Sequence, residues 1–196
     1  VKDTTANLLA GLLRTDKANL TSATTVEASS TATVTLAQYT TLTSEFGSKL
    51  KWYDADTDSA TAGLYYIGDS VDNLLSGSAT VVNGAGGNLK VTDTYANLVT
   101  NGGIDNIQLA FSGNANLDVT VTDAITDAEY DLVNGKNGTG TIVYDLADAK
   151  SNIFASSSSA SFATGLGAIL SGATTVTVTD AISQDQAAAI ETQRSS

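Results

Sequence analysis

The chain lacks cysteine and histidine, and these two absences remove several classes of site. Without cysteine there are neither disulfide bonds nor thiolate metal sites. Without histidine the commonest zinc ligand and the commonest general base are missing, although Ser–Lys chemistry stays formally open. No run of about 18 apolar residues is present to cross a bilayer, so no membrane insertion is expected. The sequence therefore predicts a protein that is not an enzyme.

Basic residues are also scarce in this sequence. Nine Lys and Arg stand against 21 Asp and Glu, and the net charge is −12. Such a surface repels phosphate backbones, which excludes nucleic acid as an expected partner, but it is compatible with divalent cations. The hydrophobic fraction is 42 %, so a buried core is feasible. With one Trp, four Phe and seven Tyr, that core is expected to consist of thin layers of small side chains.

A first motif recurs four times along the chain. An apolar residue is followed two places on by Asp, and four places later by Asn and an aliphatic residue, in Val1–Leu8, Ile67–Leu74, Val91–Leu98 and Leu146–Ile153. The aspartates, each expected to be the N-cap of a short helix, are Asp3, Asp69, Asp93 and Asp148. The asparagines are Asn7, Asn73, Asn97 and Asn152. If neighbouring units stack, we expect these asparagines to form a structural ladder that hydrogen-bonds the backbone of adjacent units. The alternative is that Asn is merely tolerated on a surface helix.

A second motif is a Thr-rich strand followed by a helix start. Its clearest copies are Val119–Thr126 and Val176–Ser183, and a divergent copy ends in Val34–Tyr39. Each copy has Ser or Thr followed three residues later by Gln or Glu, in the pairs Thr35/Gln38, Thr126/Glu129 and Ser183/Gln186. This spacing predicts a capping box, in which the hydroxyl and the longer side chain each satisfy a free amide. Asp123 and Asp180 precede the box at equivalent places, which favours a role in the strand-to-helix turn over a catalytic role.

The spacing between copies predicts an α/β repeat of about 55 residues. Asp93 and Asp148 are 148 − 93 = 55 positions apart, and Thr126 and Ser183 are 183 − 126 = 57 apart. The predicted units are a diverged repeat at 1–54, a partial or reworked one at 55–90, a full one at 91–145 and a truncated one at 146–196. Because each unit is too small to bury its own apolar face, we expect a solenoid-like stack of short parallel strands and short capped helices. The alternative is a row of small α+β domains joined as beads. The pattern is interrupted at both ends, so a longer parent protein is expected.

Three alternating carboxylates, Asp54, Asp56 and Asp58, match the opening of a calcium-binding loop. The rest of that loop does not match, since Ser59 stands where glycine is needed and Tyr65 where a bidentate Glu is needed. Two interpretations stay open: a solvated acidic turn, or a Ca²⁺ site completed by backbone carbonyls. Ca²⁺ is the only cofactor that the sequence suggests.

The segments Val119–Tyr130 and Val176–Ile190, together with the Asp-x-x-x-Asn motifs, resemble repeats of giant surface proteins of cyanobacteria and other bacteria. Those families include swimming-associated cell-surface proteins and giant adhesins. The resemblance extends well over Val91–Ser196 and loosely over Val1–Asp54. It implies an extracellular, secreted, non-catalytic protein of a surface layer, filament or adhesin that associates with copies of itself or adjacent repeats, and with surface glycans as a further partner.

Two rival functions follow from other residues. The first is a carbohydrate-binding or virion fibre module, for which Trp52 or Tyr53 would be the exposed aromatic platform. The second is a glycosidase-like enzyme, which needs two carboxyl groups facing each other in one cleft.

Overall fold

A computed structural model describes residues 1–13, 17–29, 33–54, 59–60, 66–77, 89–111 and 117–195. The chain divides into two compact units: unit 1 comprises Val1–Val91 and Asn106–Asp118, and unit 2 comprises Thr92–Asp105 and Val119–Ser196. Both units combine helices with strands that pair mainly in parallel. The α/β class predicted from the sequence is therefore confirmed.

The described strands are β1 Lys2–Asp3, β2 Val26–Ser29, β3 Thr33–Val34, β4 Leu50–Asp54, β5 Ser59–Ala60, β6 Tyr66–Asp69, β7 Leu89–Asp93, β8 Asp118–Ile125, β9 Ile142–Asp148 and β10 Val176–Val178. The described α-helices are α1 Thr5–Leu12, α2 Lys17–Ser22, α3 Leu36–Phe46, α4 Val71–Ser76, α5 Gly103–Ala110, α6 Asp127–Lys136, α7 Lys150–Ile153, α8 Leu166–Gly172 and α9 Gln184–Arg194. A 3₁₀ turn covers Gly47–Lys49 and a π-helical turn covers Ala96–Thr100.

Unit 1 contains a four-stranded sheet of order β1-β2-β4-β5. Strands β1, β2 and β4 are parallel, and β5 is antiparallel to β4. Three further parallel strands lie in the order β3-β6-β7, with Val34 opposite Ile67 and Ile67 opposite Leu89. The apolar residues of these strands and of α1, α3 and α4 form the core; Leu8, Val26, Leu42, Ile67 and Leu74 are at most 1 % exposed.

Unit 2 contains β8, β9 and β10, which pair in parallel in that order. Valine and threonine alternate along β8, and the side chains of Val119 and Val121 are buried while Thr122 is exposed. This alternation is what a strand with one buried face requires. The register of β8 against β9 shifts between Thr120 and Ala124, so extra residues bulge from β8 around Asp123.

Candidate functional site

The aspartates at the carboxyl ends of the parallel strands form the most regular polar arrangement in the described residues. In unit 1, Asp69 ends β6 and accepts three hydrogen bonds. Its Oδ1 accepts from the Ser70 amide at 2.9 Å and from Asn73 Nδ2 at 2.6 Å. Its Oδ2 accepts from the amide of Leu36, the first residue of α3, at 3.0 Å. One carboxylate thus joins its own helix start to the helix start of the preceding segment.

The same arrangement recurs around Asp148 in unit 2. Its Oδ1 accepts from the Ala149 amide and from Asn152 Nδ2, both at 2.7 Å. Its Oδ2 accepts from the amide of Asp127, the first residue of α6, at 3.0 Å. We call this bond, from a helix-start amide to the aspartate of the next strand, the inter-segment link.

Two more inter-segment links lie in unit 2. Asp123 Oδ1 accepts from the Tyr95 amide at 2.7 Å, and Asp180 Oδ2 accepts from the Lys150 amide at 3.0 Å. The bulge in β8 interrupts the regular strand pairing at Asp123. Its side chain is exposed and accepts from the Tyr95 amide. Asp123 lies within β8 and Asp180 follows β10, and each carboxylate accepts from the preceding segment; the turn role stays a prediction.

The strand register explains why the links have one geometry. The residues that precede the caps of α3, α6 and α7 are Val34, Ile125 and Asp148, respectively. Their strand partners are Ile67, Leu146 and Val178. In each case the linking aspartate lies two residues beyond that partner, at Asp69, Asp148 or Asp180. Since side chains two apart lie on one face of a strand, the carboxylate meets the neighbouring helix start each time.

The prediction that Asp3, Asp69, Asp93 and Asp148 are N-caps is wrong by one residue. The N-caps are Thr4, Ser70 and Ala149, and at the fourth site Thr94 Oγ1 accepts from the Asn97 amide. Each aspartate instead ends its strand and accepts from the amide of the following residue. At three of the four sites the residue after the aspartate is Ser or Thr, and its hydroxyl accepts from the amide of the asparagine three residues later; Ala149 has no side-chain hydrogen bond of this kind.

The predicted asparagine ladder is also wrong in its partners. Asn7, Asn73, Asn97 and Asn152 each donate from Nδ2 to the aspartate four residues earlier in their own segment, at 2.6–2.7 Å. One helical turn brings the amide directly under the strand-end carboxylate, so the asparagine bond stays local. The aspartate makes the contact with the adjacent segment. The motifs did not predict that the aspartate makes the contact with the adjacent segment, although both motifs have an Asp at the end of a strand.

Three capping boxes are present where the spacing predicts them. Thr35, Thr126 and Ser183 are N-caps with both reciprocal hydrogen bonds. Gln186 has a further role that the sequence did not reveal. Its side chain is 1 % exposed, and Nε2 donates to the Ser157 carbonyl at 3.3 Å and to the Ser159 carbonyl at 2.8 Å. The box residue therefore also holds the serine-rich loop against α9.

The link between Asp127 and Asp148 brings two carboxyl groups together. A side-chain hydrogen bond that Asp127 donates to the Asp148 carboxylate, followed by desolvation, raises the pKa of Asp127. For Asp148, burial opposes ionisation, but hydrogen bonds from Asp127, Asn152 and the Ala149 amide outweigh it and lower its pKa. Asp148 is therefore the group that carries the charge, and Asp127 is the one that takes up a proton first.

The aromatic platform expected of a glycan-binding module is not exposed at Trp52. Trp52 is 7 % exposed and stacks on Tyr39, with ring centroids 5.9 Å apart and planes 8° from parallel. The expectation that Trp52 is an exposed aromatic is therefore wrong, because β4 directs this ring into the core of unit 1. The side chain of Tyr53 lies outside the described residues.

Two concave surfaces lie beside the strand-end aspartates of unit 1. One, of about 420 Å³, is lined by Leu36, Ala37 and Thr40 of α3 and by Asp69, Asn73 and Ser76. The other, of about 540 Å³, is lined by Val1, Asp3, Asn7, Ala10, Gly11, Asn19 and Leu20. Both surfaces therefore have an Asp–Asn pair of the first motif in their wall.

The candidate calcium loop falls largely outside the described residues. Asp56 and Asp58 are not described, and nor is the side chain of Asp54, although its backbone belongs to β4. Within the described ranges, no group of three or more acidic side chains is arranged to hold a metal ion. Across the same ranges, every helix is too short or too polar to span a membrane.

Comparison with known proteins does not extend these observations. No known protein family matches this sequence, and no curated protein matches it either.

Proposed function

We propose that this chain is a non-catalytic structural repeat module whose strand–helix segments stack as a solenoid. The observation that carries the proposal is the inter-segment link, which recurs at Asp69, Asp123, Asp148 and Asp180. In a solenoid each unit contacts its sequence neighbours through the same interface, so one contact repeats along the chain. Independent domains joined as beads give no reason for one bond to recur between consecutive segments.

The proposed location is extracellular, in a surface layer, a filament or a giant adhesin. The proposal is supported by the resemblance of Val119–Tyr130 and Val176–Ile190 to giant surface-protein repeats. It is also supported by the net charge of −12, which keeps an extended array soluble. The proposed partners are copies of the same module, adjacent repeats and surface glycans, and the Asp54–Asp58 segment is the proposed site for Ca²⁺.

A non-catalytic role is supported by how the carboxylates are used. Both oxygens of Asp148 accept hydrogen bonds: Oδ1 from the Ala149 amide and Asn152 Nδ2, and Oδ2 from the Asp127 amide. A general acid or a nucleophile needs a carboxyl oxygen that faces substrate. The strand-end aspartates are consequently better suited to holding the backbone than to chemistry.

Hydrogen–deuterium exchange of the Asp148→Ala variant tests the stacked arrangement. We expect faster exchange in α6, which belongs to the preceding segment, as well as in α7, because both helix starts lose an acceptor. The control is Asp131→Ala, which removes an exposed acidic side chain on α6 itself. A change confined to residues 149–153 would favour independent domains and contradict the proposal.

The location is tested separately with an antiserum against this chain. Intact cells of the source organism should be labelled without permeabilisation, and mild proteolysis of the cell surface should remove the signal. Labelling that requires permeabilisation would rule out a surface role and leave the stacked fold unaffected.

A further inference from the structure

Three asparagine–glycine bonds lie in unit 2, at Asn101–Gly102, Asn134–Gly135 and Asn137–Gly138, and a fourth, at 83–84, lies outside the described residues. In this dipeptide the glycine amide nitrogen attacks the side-chain carbonyl carbon of asparagine readily, because the glycine has no side chain to obstruct the approach. The attack needs rotation of the backbone between the two residues and access of water to the side chain. The three bonds therefore differ mainly in what the fold permits.

The fold protects Asn137 at both its side chain and its backbone. Asn137 is 0 % exposed, and its Nδ2 donates to the Gly140 carbonyl at 2.6 Å. Its backbone amide donates to the Val133 carbonyl at 3.0 Å, at the end of α6. Water does not reach this side chain, and the backbone is held where the attack would need it to rotate.

Asn134 is exposed, but it lies within α6. Rotation at the Asn134–Gly135 bond breaks the helical turn that follows, including the hydrogen bond that the Asn137 amide donates. That turn is anchored by the buried Asn137 and by the ion pair between Lys136 and Asp105 at 2.5 Å. Opening an anchored stretch of helix costs more free energy than opening a free helix end. Asn134 therefore reaches the reactive geometry rarely.

Asn101 follows the π-helical turn, and both restraints are weaker there. Its side chain is exposed, and Nδ2 donates to Asn97 Oδ1 at 3.1 Å on the surface. The Gly102 amide donates to the Val99 carbonyl at 3.0 Å, and the φ of 71° at Gly102 ends the helical geometry. Rotation at the Asn101–Gly102 bond therefore breaks a hydrogen bond at the end of a turn, where opening costs least.

We infer that Asn101 is a site of spontaneous deamidation in the folded protein, and that the fold suppresses the same reaction at Asn134 and Asn137. The Gly102 nitrogen forms a bond to Asn101 Cγ, and the bond from Cγ to Nδ2 breaks. The proton of the Gly102 amide passes through solvent to the departing nitrogen, which leaves as ammonia, and a succinimide ring remains. Water then adds to one of the two ring carbonyls and opens the ring to aspartate or isoaspartate.

The modification changes a chain of hydrogen bonds that ends on a strand-end aspartate. Asn101 donates to Asn97 Oδ1, and Asn97 Nδ2 donates to Asp93 Oδ1 at 2.7 Å. Either product replaces the Asn101 amide by a carboxylate, which has no N–H to donate. The bond to Asn97 is then lost, and one negative charge is added beside Asp93. This inference goes beyond the proposed function and does not depend on it.

Incubation of the folded protein at mildly alkaline pH, followed by tandem mass spectrometry of its proteolytic fragments, tests the inference. We expect the replacement of NH₂ by OH to accumulate at Asn101 about tenfold or more faster than at Asn134 or Asn137, which corresponds to a difference of about 1.4 kcal/mol in local opening. An isoaspartyl methyltransferase should label the fragment that contains Asn101. Asn101→Gln should abolish this label, because the glutamine side chain is one methylene too long to form the succinimide ring.

The control is the same incubation in guanidinium chloride, where the fold is absent and the three sites should react at comparable rates because glycine follows each of them. Thermal melts verify that the protein incubated without denaturant stays folded. Three results would overturn the inference. These are equal rates in the folded protein, a faster reaction at Asn134 or Asn137, and a preference for Asn101 that is the same with and without denaturant.

Discussion

Asp148 illustrates how a single side chain stabilises this protein. Three donors converge on it: two backbone amides and the Asn152 side chain, at 2.7–3.0 Å. Hydrogen bonds to a charged acceptor are stronger than neutral ones, and helix-start amides add the favourable end of the helix dipole. A strand-end aspartate therefore contributes to two helices at once.

Replacement of Asp148 by alanine should destabilise the protein more than any exposed acidic substitution. We expect the free energy of unfolding to fall by about 1.5–3 kcal/mol, the range for lost hydrogen bonds to a charged group. Denaturant melts measure it, with the exposed Asp131→Ala as the control that should change little. A loss no larger than that of the control would contradict the importance of the link.

The contribution of Asp148 should depend on pH in a defined direction. Since its pKa is lowered in the folded protein, the ionised form binds its donors, and its contribution is complete above the pKa of the unfolded chain. It is lost as pH falls through the lowered pKa. The stability difference between the unmodified protein and Asp148→Ala should therefore be largest near pH 7 and shrink below about pH 4. A constant difference across that range would rule out the charged carboxylate as the cause.

Gln186 and Glu129 occupy the same place in their capping boxes but differ in surroundings. Gln186 is buried and donates to two loop carbonyls, whereas the Glu129 carboxylate accepts from Thr126 alone in the described contacts. Gln186→Glu keeps the acceptor of the box but removes the two hydrogen bonds that Nε2 donates to the loop. We therefore expect the free energy of unfolding to fall by about 1–3 kcal/mol. Glu129→Gln should change the free energy of unfolding much less than Gln186→Glu does. Chemical denaturation of both variants provides the comparison, and equal effects would contradict the loop-holding role.

At the scale of elements, the helices α3, α6 and α7 each begin where two sets of groups meet. The cap residue comes from the helix's own segment, and the acceptor for its first amide is an aspartate 21 to 33 residues further on. The first set follows from adjacent residues, and the second exists only once the strands have paired in register. Helix starts therefore couple local structure to the sheet.

Proline at the first helical position removes one backbone amide, so its effect on stability shows whether that amide makes an inter-segment link. Asp127→Pro removes the amide that binds Asp148, and Asp127→Asn is its control because the amide is kept while the charge is lost. We expect the proline variant to be less stable than the asparagine variant by about 1.5–3 kcal/mol. The amide of Gln184, the first residue of α9, has no bonded acceptor in the described part of the chain, so Gln184→Pro should leave the unfolding free energy nearly unchanged. Equal costs at the two helices, measured by urea melts, would show that the link adds no stability.

At the scale of the whole molecule, the balance of charge opposes the folded state. A net charge of −12 on 196 residues produces self-repulsion that salt screens. Lys17 pairs with Glu45 and Lys136 with Asp105, at 2.7 and 2.5 Å, but nine basic residues cannot neutralise 21 acidic ones.

Sodium chloride should therefore raise the melting temperature of the unmodified protein. Calcium chloride at matched ionic strength tests the Asp54–Asp58 segment, since a specific site adds stabilisation beyond screening. If the midpoint in calcium chloride equals that in sodium chloride at the same ionic strength, and chelator does not change it, calcium has no structural role. A melting temperature that falls with salt would contradict the repulsion argument.

The sequence alone determined the α/β class and the three capping boxes. Both depend on residues near one another: alternation of valine and threonine within β8, and a hydroxyl three residues before Gln or Glu at Thr126 and Ser183. The four Asp–Asn motifs were also visible, and their local hydrogen bonds span four residues. The repeat boundaries and the calcium segment stay predictions.

Only the tertiary structure decided what the aspartates bind. The sequence pattern predicts Asp69 and Asp148 as N-caps, whereas the caps are the residues that follow them, and it assigns the inter-segment contact to asparagine. Strand register decides which carboxylate lies beside which helix start, and register depends on pairing between residues 21 or more positions apart. The burial of Trp52 was decided in the same way, because the ring packs on Tyr39 of a helix that precedes it in the chain. Local capping is a property of neighbouring residues, whereas these contacts exist only once the core has assembled.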